Sequence, residues 1–103
     1  MSKFLKVAAV TEIPPGTKKI VEVAGVLVVV INVDGEFYAV EDVCTHDGGP
    51  LGEGKLEGYQ LVCPRHGARF DVRTGAALTM PAFEPAPTYE VRVQNGDVLV
   101  ESY

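Results

Sequence analysis

Two short pairs, Cys44-Thr45-His46 and Cys63-Pro64-Arg65-His66, constrain this chain more than anything else in it. They hold every cysteine and histidine of the protein, two of each, and the sixteen residues Asp47 to Val62 separate them. A disulfide needs only the cysteines, and a Cys–His nucleophile needs only one pair. Two matched pairs on glycine- and proline-rich stretches imply a four-ligand metal centre. The fold must therefore bring two loops, distant in sequence, to one point.

Two metals suit two thiolates and two imidazoles. Zinc takes that set in tetrahedral structural sites, where the cysteines often sit together and the histidines follow. Here each loop gives one of each, so facing loops can place both cysteines on one iron and both histidines on a second. Cys44-x-His46 and Cys63-x2-His66 closely resemble the Rieske motif. The likeness continues through Gly48-Gly49-Pro50-Leu51 and Pro64-Arg65-His66-Gly67-Ala68-Arg69-Phe70-Asp71. It is compatible with nearly the whole chain, which looks like a small, soluble Rieske-type ferredoxin carrying one [2Fe–2S] cluster. Zinc is the alternative.

The resemblance assigns roles around the centre. Mixed ligation leaves the cluster formally neutral when oxidised, so its potential exceeds that of all-thiolate centres, about −150 to +300 mV against about −400 mV. Hydrogen bonds to the sulfurs raise it further. Respiratory Rieske proteins carry Ser and Tyr donors where this chain has Ala68 and Phe70, and an extra disulfide that is missing here. A potential toward the low end is expected. Gly48, Gly49 and Gly67 are expected to bring backbone N–H groups close to the sulfides; plain turn chemistry is the compatible alternative. Pro50, Leu51, Pro64 and Phe70 are expected to shield the cluster, although Phe70 also reads as simple core. Met80-Pro81-Ala82-Phe83 resembles the proline-rich loop that covers Rieske clusters, with an ordinary surface connection as the other reading. In the family the two histidines sit at an exposed tip, which makes His46 and His66 the expected electron exit. Arg65, beside them, is a candidate partner contact.

The chain of 103 residues reads as one domain, residues 1–103, with an apolar content of 47% that is ordinary for a folded protein. The longest apolar run, Val26 to Ile31, has strand length and is far short of the ~20 residues that span a bilayer. No secretory signal is visible, and reduced cysteines fit a cytoplasmic location. The net charge is −5, concentrated between Asp34 and Glu57, where seven acids face Lys55 alone. That balance disfavours nucleic acid and could steer a basic partner; a merely solubilising face is the bland reading.

Alternation and turn signals predict strands over Phe4–Val10, Thr17–Val23, Val26–Val33, Glu36–Val40, Glu57–Val62, Arg69–Val72, Tyr89–Val93 and Asp97–Glu101. Asp34-Gly35 and Asn95-Gly96 mark two-residue hairpins, and Pro81, Pro85 and Pro87 an extended connection. No stretch has a helical period. The class is all-β, an antiparallel sandwich or small barrel. The resemblance adds a cluster-binding subdomain, about residues 42–83, inserted into that base.

Four settings use such centres, and the chain fits one best. It shows no membrane anchor, and both histidines are already used, leaving none for a second iron site. No catalytic constellation is visible. The resemblance implies a monomeric one-electron shuttle between an NAD(P)H-dependent flavoprotein reductase and a terminal oxygenase, as in multicomponent aromatic-ring dioxygenases. The alternative is the small Rieske-like subunit of an assimilatory nitrite reductase.

Overall fold

The computed structural model describes residues 3–44, 49–65, 67–80 and 84–102. The strands are β1 (Lys3–Ala9), β2 (Lys18–Val23), β3 (Val26–Val33), β4 (Glu36–Glu41), β5 (Lys55–Glu57), β6 (Gln60–Val62), β7 (Arg69–Asp71), β8 (Thr88–Tyr89), β9 (Val91–Gln94) and β10 (Asp97–Ser102). Every pairing is antiparallel. The orders are β1-β10-β9, β2-β3-β4-β8 and β5-β6-β7. Among the described residues the only helical turns are the 3-10 turns Val10–Glu12 and Leu51–Glu53.

The central sheet explains why Val26–Val33 reads as a near-continuous apolar run. From Val28 onward it is covered on both faces. Val28 and Val30 of β3 pack with Val98 and Val100 of β10, and with Ala8 and Ile13. Val29, Ile31 and Val33 point the other way, into a second core with Leu51, Leu61, Phe70 and both cysteines. A strand buried on both faces has no solvent side on which to place polar residues. Asn32 is the exception and is fully satisfied: its Nδ2 donates to the Ile13 carbonyl at 2.8 Å, and its Oδ1 accepts from Gly35 N–H at 2.8 Å. The two outer sheets thus sandwich the central one, and the second core holds the candidate centre.

Three tight turns fix the hairpin registers. Asp34-Gly35 and Asn95-Gly96 have positive φ at both positions, as type I′ requires. Ala24-Gly25 does the same, with Ala24 at φ 48°, a conformation unfavourable for alanine.

Two expected strands are divided. Glu57–Val62 is a hairpin in which Lys55–Glu57 pairs with Gln60–Val62. Gly58, at φ 60°, turns the chain where propensity alone predicts a continuous strand. Tyr89–Val93 is split at Glu90: Thr88 and Tyr89 pair with β4, whereas Val91–Gln94 pairs with β10. The chain changes sheets there, and Tyr89 is held by its hydroxyl on Glu41 Oε1 at 3.1 Å. Strand β1 stops at Ala9, where the Glu12 carboxylate accepts the Ala9 N–H and starts the turn.

Candidate metal centre

The first loop leaves β4 through Asp42 and Val43. The Cys44 N–H donates to the Gly49 carbonyl at 2.8 Å, closing the loop after five residues. The second loop leaves β6 and closes in the same way, with Cys63 N–H donating to the Ala68 carbonyl at 2.7 Å. Gly67 tightens this loop: at φ 75° it returns its own N–H to the Cys63 carbonyl at 3.0 Å. Each loop therefore returns to its cysteine, and each histidine falls in sequence between the two closure points.

Cys44 is completely buried and Cys63 is 2% exposed; neither is in a disulfide, and both lie in one core cluster. Two elements separated in sequence thus deliver unbridged thiols to the same apolar interior. The two loops supply two soft sulfur donors together with two imidazole-bearing positions, a donor set that fits a Rieske-type cluster.

Around the thiols, Leu51, Ala68 and Phe70 are fully buried and Gly49 is buried. Phe70 pairs across the ladder with Leu61 and bridges to Ala77. Pro50 is half-buried, whereas Pro64, Arg65 and Gly67 are exposed. Pro64 lines an open cleft of about 400 Å³ with Glu53, Gly54, Lys55, Val62 and Cys63. Neither Ala68 nor Phe70 offers a side-chain donor. His46, Asp47, Gly48, His66 and Pro81 lie outside the described residues, so the proposed imidazole ligands and the covering proline are named from sequence alone.

The segment joining the loops is packed more tightly than the sequence indicated. A Cβ on Gly54 would run into the carbonyl of Val62, the residue before Cys63. A Cβ on Gly52 would lie 2.7 Å from Val29 Cγ2 and 2.8 Å from Ile20 Cγ1. The Gly52 peptide is also held by Asp42 and Lys18. Neither glycine nor Lys18 stood out in the sequence, because their partners lie far along the chain. At the other end of this layer, Arg73 grips Asp71 through Nε and Nη2 at 3.1 and 2.9 Å and lies 4.1 Å over the Tyr59 ring. The guanidinium lowers the Asp71 pKa below its usual value. Tyr59 meets Tyr38 edge-on at 6.1 Å. The Tyr38 hydroxyl donates to Glu36 at 2.7 Å, and that carboxylate pushes its pKa up to about 12. This chain of contacts ties the β5-β6-β7 layer to the β3–β4 hairpin.

The Rieske [2Fe–2S] domain model matches residues 3–90. The chain belongs to the Rieske [2Fe–2S] family. Its cofactor is accordingly one Rieske-type cluster. The biphenyl dioxygenase ferredoxin subunit of Pseudomonas sp. (strain KKS102) is 41% identical, over 95% of this chain and 91% of that protein. The ferredoxin of carbazole 1,9a-dioxygenase from Nocardioides aromaticivorans IC177 superposes with a TM-score of 0.92 at 32% identity, covering 95% and 96% of the two chains. A chain in a complex of reduced oxygenase and oxidised ferredoxin of carbazole 1,9a-dioxygenase matches with a TM-score of 0.89 at 41% identity, over 94% and 91%. These Rieske relatives are ferredoxin components rather than catalytic subunits. They lend nothing to a nitrite reductase subunit.

Proposed function

We propose that this Rieske protein is a one-electron carrier of an aromatic-ring dioxygenase system, taking electrons from an NAD(P)H-dependent flavoprotein reductase and passing them to a terminal oxygenase. The observation that carries this reading is near-full-length similarity to a dioxygenase ferredoxin subunit, 41% identity with almost nothing left over in either chain. The proposed ligands are Cys44 and Cys63 for the inner iron and His46 and His66 for the outer. Bound there, the cluster supplies reversible one-electron chemistry.

The protein's own contribution is shape, dryness and charge. Loops closed on their cysteines hold the sulfur donors in fixed positions. Leu51, Ala68 and Phe70 exclude water from the thiolate side, which keeps reorganisation small as charge changes. Ala68 and Phe70 withhold hydrogen bonds, which favours a low potential. Gly48, Gly49 and Gly67 are proposed to let backbone approach the sulfides, and Pro50, Pro64 and Pro81 to cover them. The tip bearing His46 and His66, with Arg65 beside it, is the proposed docking point, and residues 42–83 form the proposed subdomain. No described helix is long and apolar enough to cross a membrane, and we place the protein in the cytoplasm as a monomer without nucleic-acid contacts. Reconstitution tests the function: the purified protein should restore NAD(P)H-dependent turnover to a reductase and oxygenase that are inactive without it. Iron–sulfur-replete protein that neither reductase can reduce nor oxygenase can oxidise would refute it.

A further inference from the structure

Gly52 is the middle residue of the 3-10 turn Leu51–Glu53. Both of its backbone polar groups are taken by charged side chains, one from β2 and one just after β4. Its N–H donates to Asp42 Oδ1 at 2.6 Å, and its carbonyl accepts from Lys18 Nζ at 2.6 Å. The same residue is pressed onto the central sheet so closely that a Cβ would crowd Val29, Ile20 and the Asp42 carboxylate itself. One residue is thus fixed by two charge-assisted hydrogen bonds, the stronger kind, one on each of the two peptide units that flank its Cα, and by close packing against sheet side chains.

That residue lies between the two halves of the centre. Leu51, just before it, is buried in the cluster that contains Cys44 and Cys63. Gly54, two residues after it, abuts the Val62 carbonyl in the strand that delivers Cys63. A shift of Gly52 would therefore disturb the core that holds both cysteines and the residue that precedes Cys63. Immobilising a lysine costs side-chain entropy, which a persistent charged bond offsets. Lys18 is indeed half-buried rather than free in solvent.

We propose that Lys18 and Asp42 are positioning residues for the metal centre, clamping the Gly52 peptide so that the Cys44 and Cys63 loops keep a fixed separation. The proposal rests on those cysteines being ligands. The clamp also places opposite charges on either side of one residue, next to the buried Leu51 of the cysteine core. Reduction adds negative charge, so a nearby cation favours it and a nearby anion opposes it. Loss of Lys18 and loss of Asp42 should therefore loosen the same segment yet displace the potential in opposite directions.

The test uses iron–sulfur-replete protein with Lys18→Met, Asp42→Ala and Lys18→Arg. Hydrogen–deuterium exchange of a peptide spanning residues 49–56 should be at least fivefold faster in the first two and within twofold of native in Lys18→Arg. The midpoint should fall in Lys18→Met and rise in Asp42→Ala. Native exchange in both loosened variants, or midpoints displaced in the same direction, overturns the proposal. If Lys18→Met assembles no cluster, Lys18→Arg decides: recovery of the native spectrum supports the clamp, and failure of the arginine variant as well overturns it. An unmodified protein lacking an iron–sulfur spectrum would instead sink the ligand assignment, and the exchange measurement would still judge the clamp.

Discussion

Gly54 and Ala68 illustrate how much can depend on the absence of a side-chain atom. At Gly54 even a methyl group meets a backbone carbonyl that cannot rotate away. Gly54→Ala is expected to cost about 1–3 kcal/mol, in the range of strained overpacking, and to weaken cluster retention because Val62 leads into Cys63. Thermal melting and the iron content of the purified variant check this. At Ala68 the missing atom is a donor. Ala68→Ser places a hydroxyl in the fully buried ring around the cysteines. If it donates toward the cluster it should raise the midpoint by roughly 40–60 mV, equivalent to about 1–1.4 kcal/mol for one electron. Redox titration of the variant measures it, and an unchanged midpoint would show that residue 68 does not face the sulfurs. The four proposed ligands stood out in the sequence because cysteine and histidine occur nowhere else in it. Lys18 was not, since its partner Gly52 lies 34 residues away and only packing brings them together.

Among the elements, the hairpins were the most readable and their exceptions the most instructive. Asp34-Gly35 and Asn95-Gly96 announce their turns because both residue types accept positive φ. Ala24-Gly25 adopts the same geometry with a residue that disfavours it, so Ala24→Asn should stabilise the protein by about 0.5–1 kcal/mol in denaturant melts. The divisions at Gly58 and Glu90 were hidden because local propensity does not say which sheet a strand will join. The far end of the β5-β6-β7 layer depends on Arg73 and Asp71. Asp71 has a folded pKa below its ordinary value of 3.8. Its stabilisation is therefore complete above that ordinary value and is lost as pH falls through the lower folded value. Arg73→Met should lower stability only modestly near neutral pH, because the arginine is half exposed and solvent screens the pair. It should also flatten the fall in stability below about pH 4. A pH series of chemical denaturation reads both effects.

For the molecule as a whole, a two-faced central sheet lets one small chain carry two cores, one that builds the base and one that encloses the cysteines. The fold class was legible because strand periodicity and turn chemistry agree along most of the chain. The layering was not, because the continuous β3 run says only that both faces are covered, and not by what. Charge acts at this scale too. Seven acids between Asp34 and Glu57 give the chain a negative middle, so steering toward basic partners should weaken with salt. The rate of electron delivery to an oxygenase is expected to fall several-fold between low and physiological ionic strength. Pulsed EPR of the reduced protein tests the proposed mixed sulfur and nitrogen ligation of two irons. Two strongly coupled nitrogens should appear on a rhombic [2Fe–2S] signal and be lost on replacement of His46 or His66. A [2Fe–2S] signal without nitrogen coupling, or a colourless protein holding one zinc, would contradict it.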